Sequence, residues 1–94
     1  MYPFQPIAHS TQVPSVGATA VQLAIPADAR AVLIDNRGTD DVLIEFGDAP
    51  VDSNSARVAG GAAQIFSTAG TSVWLKRKAG ASAAEVVVTP GRGI

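Results

Sequence analysis

Arg30–Asp48 reads RAVLIDNRGTDDVLIEFGD. Two apolar runs, Ala31–Ile34 and Val42–Phe46, flank the turn-rich segment Asp35-Asn36-Arg37-Gly38-Thr39-Asp40-Asp41. Asp and Asn side chains bond their own backbone in turns, and Gly supplies angles that other residues avoid. Short apolar runs on either side of such a segment read as the two strands of a β-hairpin. In the second run Val42, Ile44 and Phe46 share one face, with Leu43 on the other.

The same texture extends outward. Thr19–Ile25 alternates, with Val21, Leu23 and Ile25 on one face and Ala20, Gln22 and Ala24 on the other, before the turn Pro26-Ala27-Asp28-Ala29. Beyond the loop Asp48–Ser55, Arg57–Ala59 reads as a short strand broken by Gly60-Gly61, and Gln64–Ser67 as another. Ser72–Lys78 sets Val73 and Leu75 against Trp74 and Lys76. Glu85–Thr89 is the last strand, stopped by Pro90-Gly91-Arg92-Gly93. About six to eight short strands with no helical period predict an all-β chain, a small antiparallel β-sandwich or jelly-roll-like barrel over residues 15–94.

Residues 1–14 read as an extended N-terminal arm. Pro3, Pro6 and Pro14 remove backbone donors, so the arm belongs at a sheet edge or detached from it. Tyr2, Phe4 and Ile7 lie between the prolines and need cover. The arm therefore either covers its own sandwich or reaches a neighbour, and Tyr2, Phe4, Ile7 and Trp74 are the candidate partner contacts.

A chain of 94 residues is one domain, burying roughly 65% of the surface its unfolded form exposes. It has no cysteine, hence no disulfide or thiolate staple, and small domains of this kind often gain stability by associating. Charged residues make up only 16%, against about a quarter in a typical soluble domain. That sparseness suits a surface covered by partners, or a plain sandwich rich in Ser, Thr and Ala. A net charge of −1 argues against nucleic acid. No apolar run is long enough to span a membrane. The opening MYPFQPIAHS lacks the basic and apolar regions of a signal peptide, which predicts synthesis in a cytoplasm.

Charge falls in blocks. Residues 28–52 hold seven acids against Arg30 and Arg37, a net of −5, and residues 53–94 hold five basic residues against Glu85, a net of +4. The two halves either present opposite charge or interleave and cancel. Five of the seven acids, Asp35, Asp40, Asp41, Glu45 and Asp48, belong to the presumed hairpin. That stretch therefore reads as an acidic edge.

Catalytic patterns are not apparent. His9 is the only histidine and has no acid near it in sequence to orient it as a base. Without a usable His, the Ser and Thr residues form no triad. Zinc needs more N or S ligands than the chain has. Asp35, Asp40, Asp41, Asp48 and Asp52 sit in loops or at strand ends, where such acids can supply calcium ligands, but Asp35-Asn36-Arg37-Gly38 lacks the alternating spacing of a calcium loop and Arg37 would compete. Gly60-Gly61 is followed by no Lys-Ser/Thr and no helix, so it is no phosphate loop. Lys76-Arg77-Lys78 alternates faces and forms no single patch. The expectation is a non-enzymatic chain with no metal and no cofactor.

Three segments carry a resemblance: the strand ending Ile44-Glu45-Phe46-Gly47-Asp48-Ala49, the Gly-containing Val58-Ala59-Gly60-Gly61-Ala62-Ala63-Gln64-Ile65-Phe66, and the closing Thr89-Pro90-Gly91-Arg92-Gly93-Ile94. Over residues 18–94 the chain resembles the small β-rich structural proteins encoded near the capsid genes of tailed bacteriophages. The arm lies outside the resemblance. It implies a capsid decoration, or cement, protein on the virion exterior, often a homotrimer, bridging subunits of the major capsid protein. The alternative is a carbohydrate-binding or host-recognition module of a phage tail or fibre, with Trp74 or Tyr2 exposed on a polar groove.

Overall fold

The structure, a computed structural model, describes residues 4–47, 55–67 and 71–92. These form nine strands and no helix: β1 (Gln5–Pro6), β2 (Ser15–Val16), β3 (Val21–Ala24), β4 (Ala31–Asn36), β5 (Val42–Phe46), β6 (Ala56–Val58), β7 (Ala63–Ser67), β8 (Ser72–Arg77) and β9 (Ala84–Arg92). One sheet has the order β1-β9-β4-β7, with β2 also on β9, and the other has the order β3-β8-β5-β6. All pairs are antiparallel.

The pairs are nested. The arm strands bond β9, β3 bonds β8, β4 bonds β7 and β5 bonds β6. The chain is thus doubled on itself with its bend between β5 and β6, then wrapped so that successive layers alternate between sheets. That is the connectivity of a jelly roll, one of the architectures expected for short strands at even spacing.

The hairpin expectation is corrected. β4 bonds β7 and β9, β5 bonds β6 and β8, and the two never pair. Residues 37–41 cross from one sheet to the other. Val32 and Ile34 then face Val42 and Ile44 across the core instead of lying beside them on one sheet, and all four are at most 1% exposed. Facing sheets let both apolar rows be dry. Each such side chain contributes about 1.5–3 kcal/mol on burial.

Val86 and Val88 complete the core from the first sheet, and Val58, Val73 and Leu75 from the second. Phe46 and Phe66 meet at 6.2 Å between ring centroids. Alternation placed Val42, Ile44, Val73 and Leu75 on the core side, and they lie there.

The last strand runs further than Pro90 suggests. β9 continues through Pro90 to Arg92, between β1 and β4. Pro90 sits opposite Ile7, whose N–H donates to the Pro90 carbonyl at 2.9 Å. An antiparallel pair of this type exchanges two bonds, and proline has no N–H to return. The Ile7 carbonyl is taken instead by Ser10, through Oγ at 2.6 Å and N at 3.3 Å. The arm bulges outward here, with His9 at φ 59°, and rejoins β9 at the Gln12–Val88 bridge.

The arm therefore covers its own sandwich. Phe4 packs so closely on Gly91 that a Cβ there would fall 2.5 Å from its ring, and Ile7 packs against the core.

Candidate interaction surfaces

One end of the sandwich is closed by two buried polar side chains. Arg77 follows Val73 and Leu75 in phase, so its side chain turns inward, and it is 0% exposed. Its Nε donates to the Val16 carbonyl at 2.8 Å, Nη1 to Asp40 O and Nη2 to Ala84 O at 3.4 Å. Carbonyl dipoles replace the lost water, since an unbonded buried charge is very costly. Asn36, equally buried, donates from Nδ2 to Asp40 O at 2.9 Å and Val58 O at 3.0 Å. Its Oδ1 accepts from Gly38 N at 3.1 Å. Together they fix the 37–41 crossover on the ends of both sheets. Gly60 seals the same corner, where an added Cβ would lie 2.3 Å from Thr39 O.

These residues are structural, and neither was expected as such. Its charge sets Arg77 in a basic triplet with Lys76 and Lys78, although its phase with Val73 and Leu75 points inward. Asn36 carries no signal in the sequence beyond that of a turn former.

The acids scatter. Asp35 on the first sheet pairs with Arg37 at 3.0 Å, and Asp40 pairs with Lys78 at 3.4 Å. Glu45 on the second sheet accepts from Ser55 Oγ at 2.9 Å. Arg92 Nε donates to Asp28 at 3.0 Å, and this hydrogen bond holds the carboxyl below its ordinary value. Two of these pairs join the acidic half of the sequence to the basic half, so the blocks interleave. The acidic edge is corrected on the same ground. Asp48 and Asp52 lie outside the described residues. No group of three His, Cys, Asp or Glu gathers to hold a metal among the described residues.

A cleft of about 210 Å³ lies over the crossover, lined by Thr39, Asp40, Asp41, Leu43, Arg57 and Lys78. Both signs of charge line it, so it favours no simple ion. A shallower hollow of about 390 Å³ runs along His9–Gln12 and Ala24–Pro26. His9 is exposed there, while the Gln12 amide is committed to Ala24 O at 3.0 Å.

The outer sheet faces differ from one another. Register on the first sheet sets Val87, Asp35 and Ala63 in one row and Thr89, Leu33 and Ile65 in the next. Val13 and Thr11 extend these rows on the arm, with Thr11 Oγ1 3.3 Å from Thr89 Oγ1. Val13 is 49% and Ile65 40% exposed. The second sheet carries Gln22, Trp74 and Glu45 in one row and Lys76, Leu43 and Arg57 in the next.

Of the expected partner contacts, Tyr2 lies outside the described residues. Phe4 and Ile7 face their own sheet. Trp74 is half-buried on the charged outer face, and its Nε1–H is buried with no hydrogen-bond partner. The structure does not bring Phe4, Ile7 and Trp74 together. Sequence reasoning did not find the Val13, Val87, Leu33 and Ile65 face, because the cross-strand neighbours that assemble it come from four separate segments.

These features define a small jelly roll with one nearly neutral, largely apolar outer face. No family model, no curated protein and no solved structure matches the chain.

Proposed function

We propose that this chain is a non-enzymatic structural protein of a phage virion, a decoration protein on the capsid exterior that braces neighbouring subunits of the major capsid protein, with a homotrimer as its assembly. The observation that carries the reading is the outer face of the first sheet. Val13, Val87, Leu33, Ile65 and two threonines form an apolar surface in which Asp35 is paired with Arg37, with Glu85 at its end. Such a surface suits association, since interface cores are depleted in charge. The buried polar groups Asn36 and Arg77 are engaged in holding the fold, which fits a bracing role. The resemblance over residues 18–94 supplies the capsid as partner.

The test is co-sedimentation of the purified chain with phage capsids stripped of decoration. Saturable binding at fixed stoichiometry, weakened by Val13→Glu, is the expected result. No binding to capsids, together with glycan binding lost on Trp74→Ala, would replace this reading with the host-recognition module.

A further inference from the structure

The two sheets have four edges, and three are defended against further pairing. On the first sheet the arm side carries Pro6 and the bulge at His9. On the second sheet β6 has only three residues and includes Arg57. The end of β3 is engaged by Gln12, which donates to Ala24 O. Short strands, charge, proline and cover are the usual devices that stop sheets from joining.

Among the described residues, β7 has none of these. It is five residues long, AQIFS, and among the described residues it bonds only β4. From Val58 to Ser67 there is no charged residue and no proline. Asn36 N donates to Ala62 O at 2.9 Å, which sets the phase of the ladder. Bonded and non-bonded pairs alternate along an antiparallel ladder. Gln64 and Phe66 therefore turn their backbone groups to β4. Ala63, Ile65 and Ser67 turn theirs to the open edge.

We infer that β7 is the seat of a two-fold contact between two copies of this chain, an antiparallel β7–β7 pairing centred on Ile65. With the axis at Ile65, each Ile65 exchanges two backbone bonds with its copy, and Ala63 exchanges bonds with Ser67 of the other copy. Every free donor and acceptor on the edge is then used. A two-fold axis sets each group against its own kind, so a charged edge would repel itself. The neutrality of β7 is what admits a second copy. The outer apolar row also becomes continuous, running from Leu33 and Ile65 of one copy into Ile65 and Leu33 of the next. This contact joins two copies in free solution, whereas the proposed homotrimer assembles on the capsid, and neither requires the other.

The experiment is light scattering on the full chain over a dilution series, with two variants. A species of twice the 9.5 kDa chain mass that dissociates on dilution is expected. Ile65→Lys places two ammonium groups at the axis and should leave a monomer with an unchanged far-ultraviolet spectrum. Ile65→Cys should cross-link into a covalent dimer on mild oxidation, because facing residues in such a pair lie about 5.5 Å apart at Cα, within disulfide reach. The chain has no other cysteine to confuse the result. A monomer at all concentrations, an oligomer that survives Ile65→Lys, or the absence of a cross-link would overturn the inference.

Discussion

Asn36 and Arg77 donate to the same acceptor, the backbone carbonyl of Asp40. One side chain comes from β4 in the first sheet and the other from β8 in the second. A single peptide of the crossover thus ties the two sheets together at their closed end.

Arg77→Met should destabilise the fold by about 2–4 kcal/mol, because it leaves buried carbonyls without their donor. Arg77→Lys should recover only part of this, since one ammonium cannot match a guanidinium spread over three carbonyls. In a double-mutant cycle, Asn36→Ala and Arg77→Met should couple by about 1 kcal/mol. Urea denaturation of the four proteins measures both effects, and strict additivity would refute the shared-acceptor account.

Gly60→Ala should cost about 1–3 kcal/mol through overpacking against backbone that cannot swing away. At Gly61, with φ 77° and open space around it, alanine should cost about 1–2 kcal/mol through backbone strain alone. Asn tolerates the left-handed region, so Gly61→Asn should recover part of the loss, whereas Gly60→Asn should not. Thermal melts of the four variants distinguish the two mechanisms.

Deleting Met1–Gln12 should lower stability by about 2–3 kcal/mol, since it removes the packing of Phe4 and Ile7 and uncovers β9. A shortened chain that melts like the parent would show that the arm does not belong to the first sheet.

Trp74→Phe removes a buried N–H that has no partner. The gain from losing that group offsets the lost contact area, so stability should change by less than about 1 kcal/mol. A large loss in denaturation would mean that the indole N–H has found an acceptor.

The Asp28–Arg92 pair gives a small acid dependence. Asp28 is depressed in the folded chain, so its contribution is present above the unfolded carboxylate value and is lost as pH falls through the folded one. Wild type and Asp28→Asn should therefore differ near neutrality and converge in acid. Chemical denaturation at both pH values checks the sign.

Period was legible in the sequence and partnership was not. Val42, Ile44, Val73 and Leu75 announced their face by alternation alone, because that property is local. The same rule placed Arg77 inward, but its charge hid it in a basic triplet. The choice of partner for β4 and β5 depended on five residues that run across the end of the sandwich instead of turning back. Turn chemistry is the same in both cases, so composition could not separate them. The outer apolar face was hidden for a related reason: Val13, Leu33, Ile65 and Val87 are neighbours only through register.

The position of β9 has a consequence for the order of events in folding. This strand lies inside the first sheet, between β4 and the arm, although it is made after all the others. While it is missing, β4 has one open side and the arm has nothing to bond. The half made first must wait for the half made last, and such distant pairing is slow to form. A truncation within β9 would therefore remove the middle of a sheet and leave its two flanks unconnected.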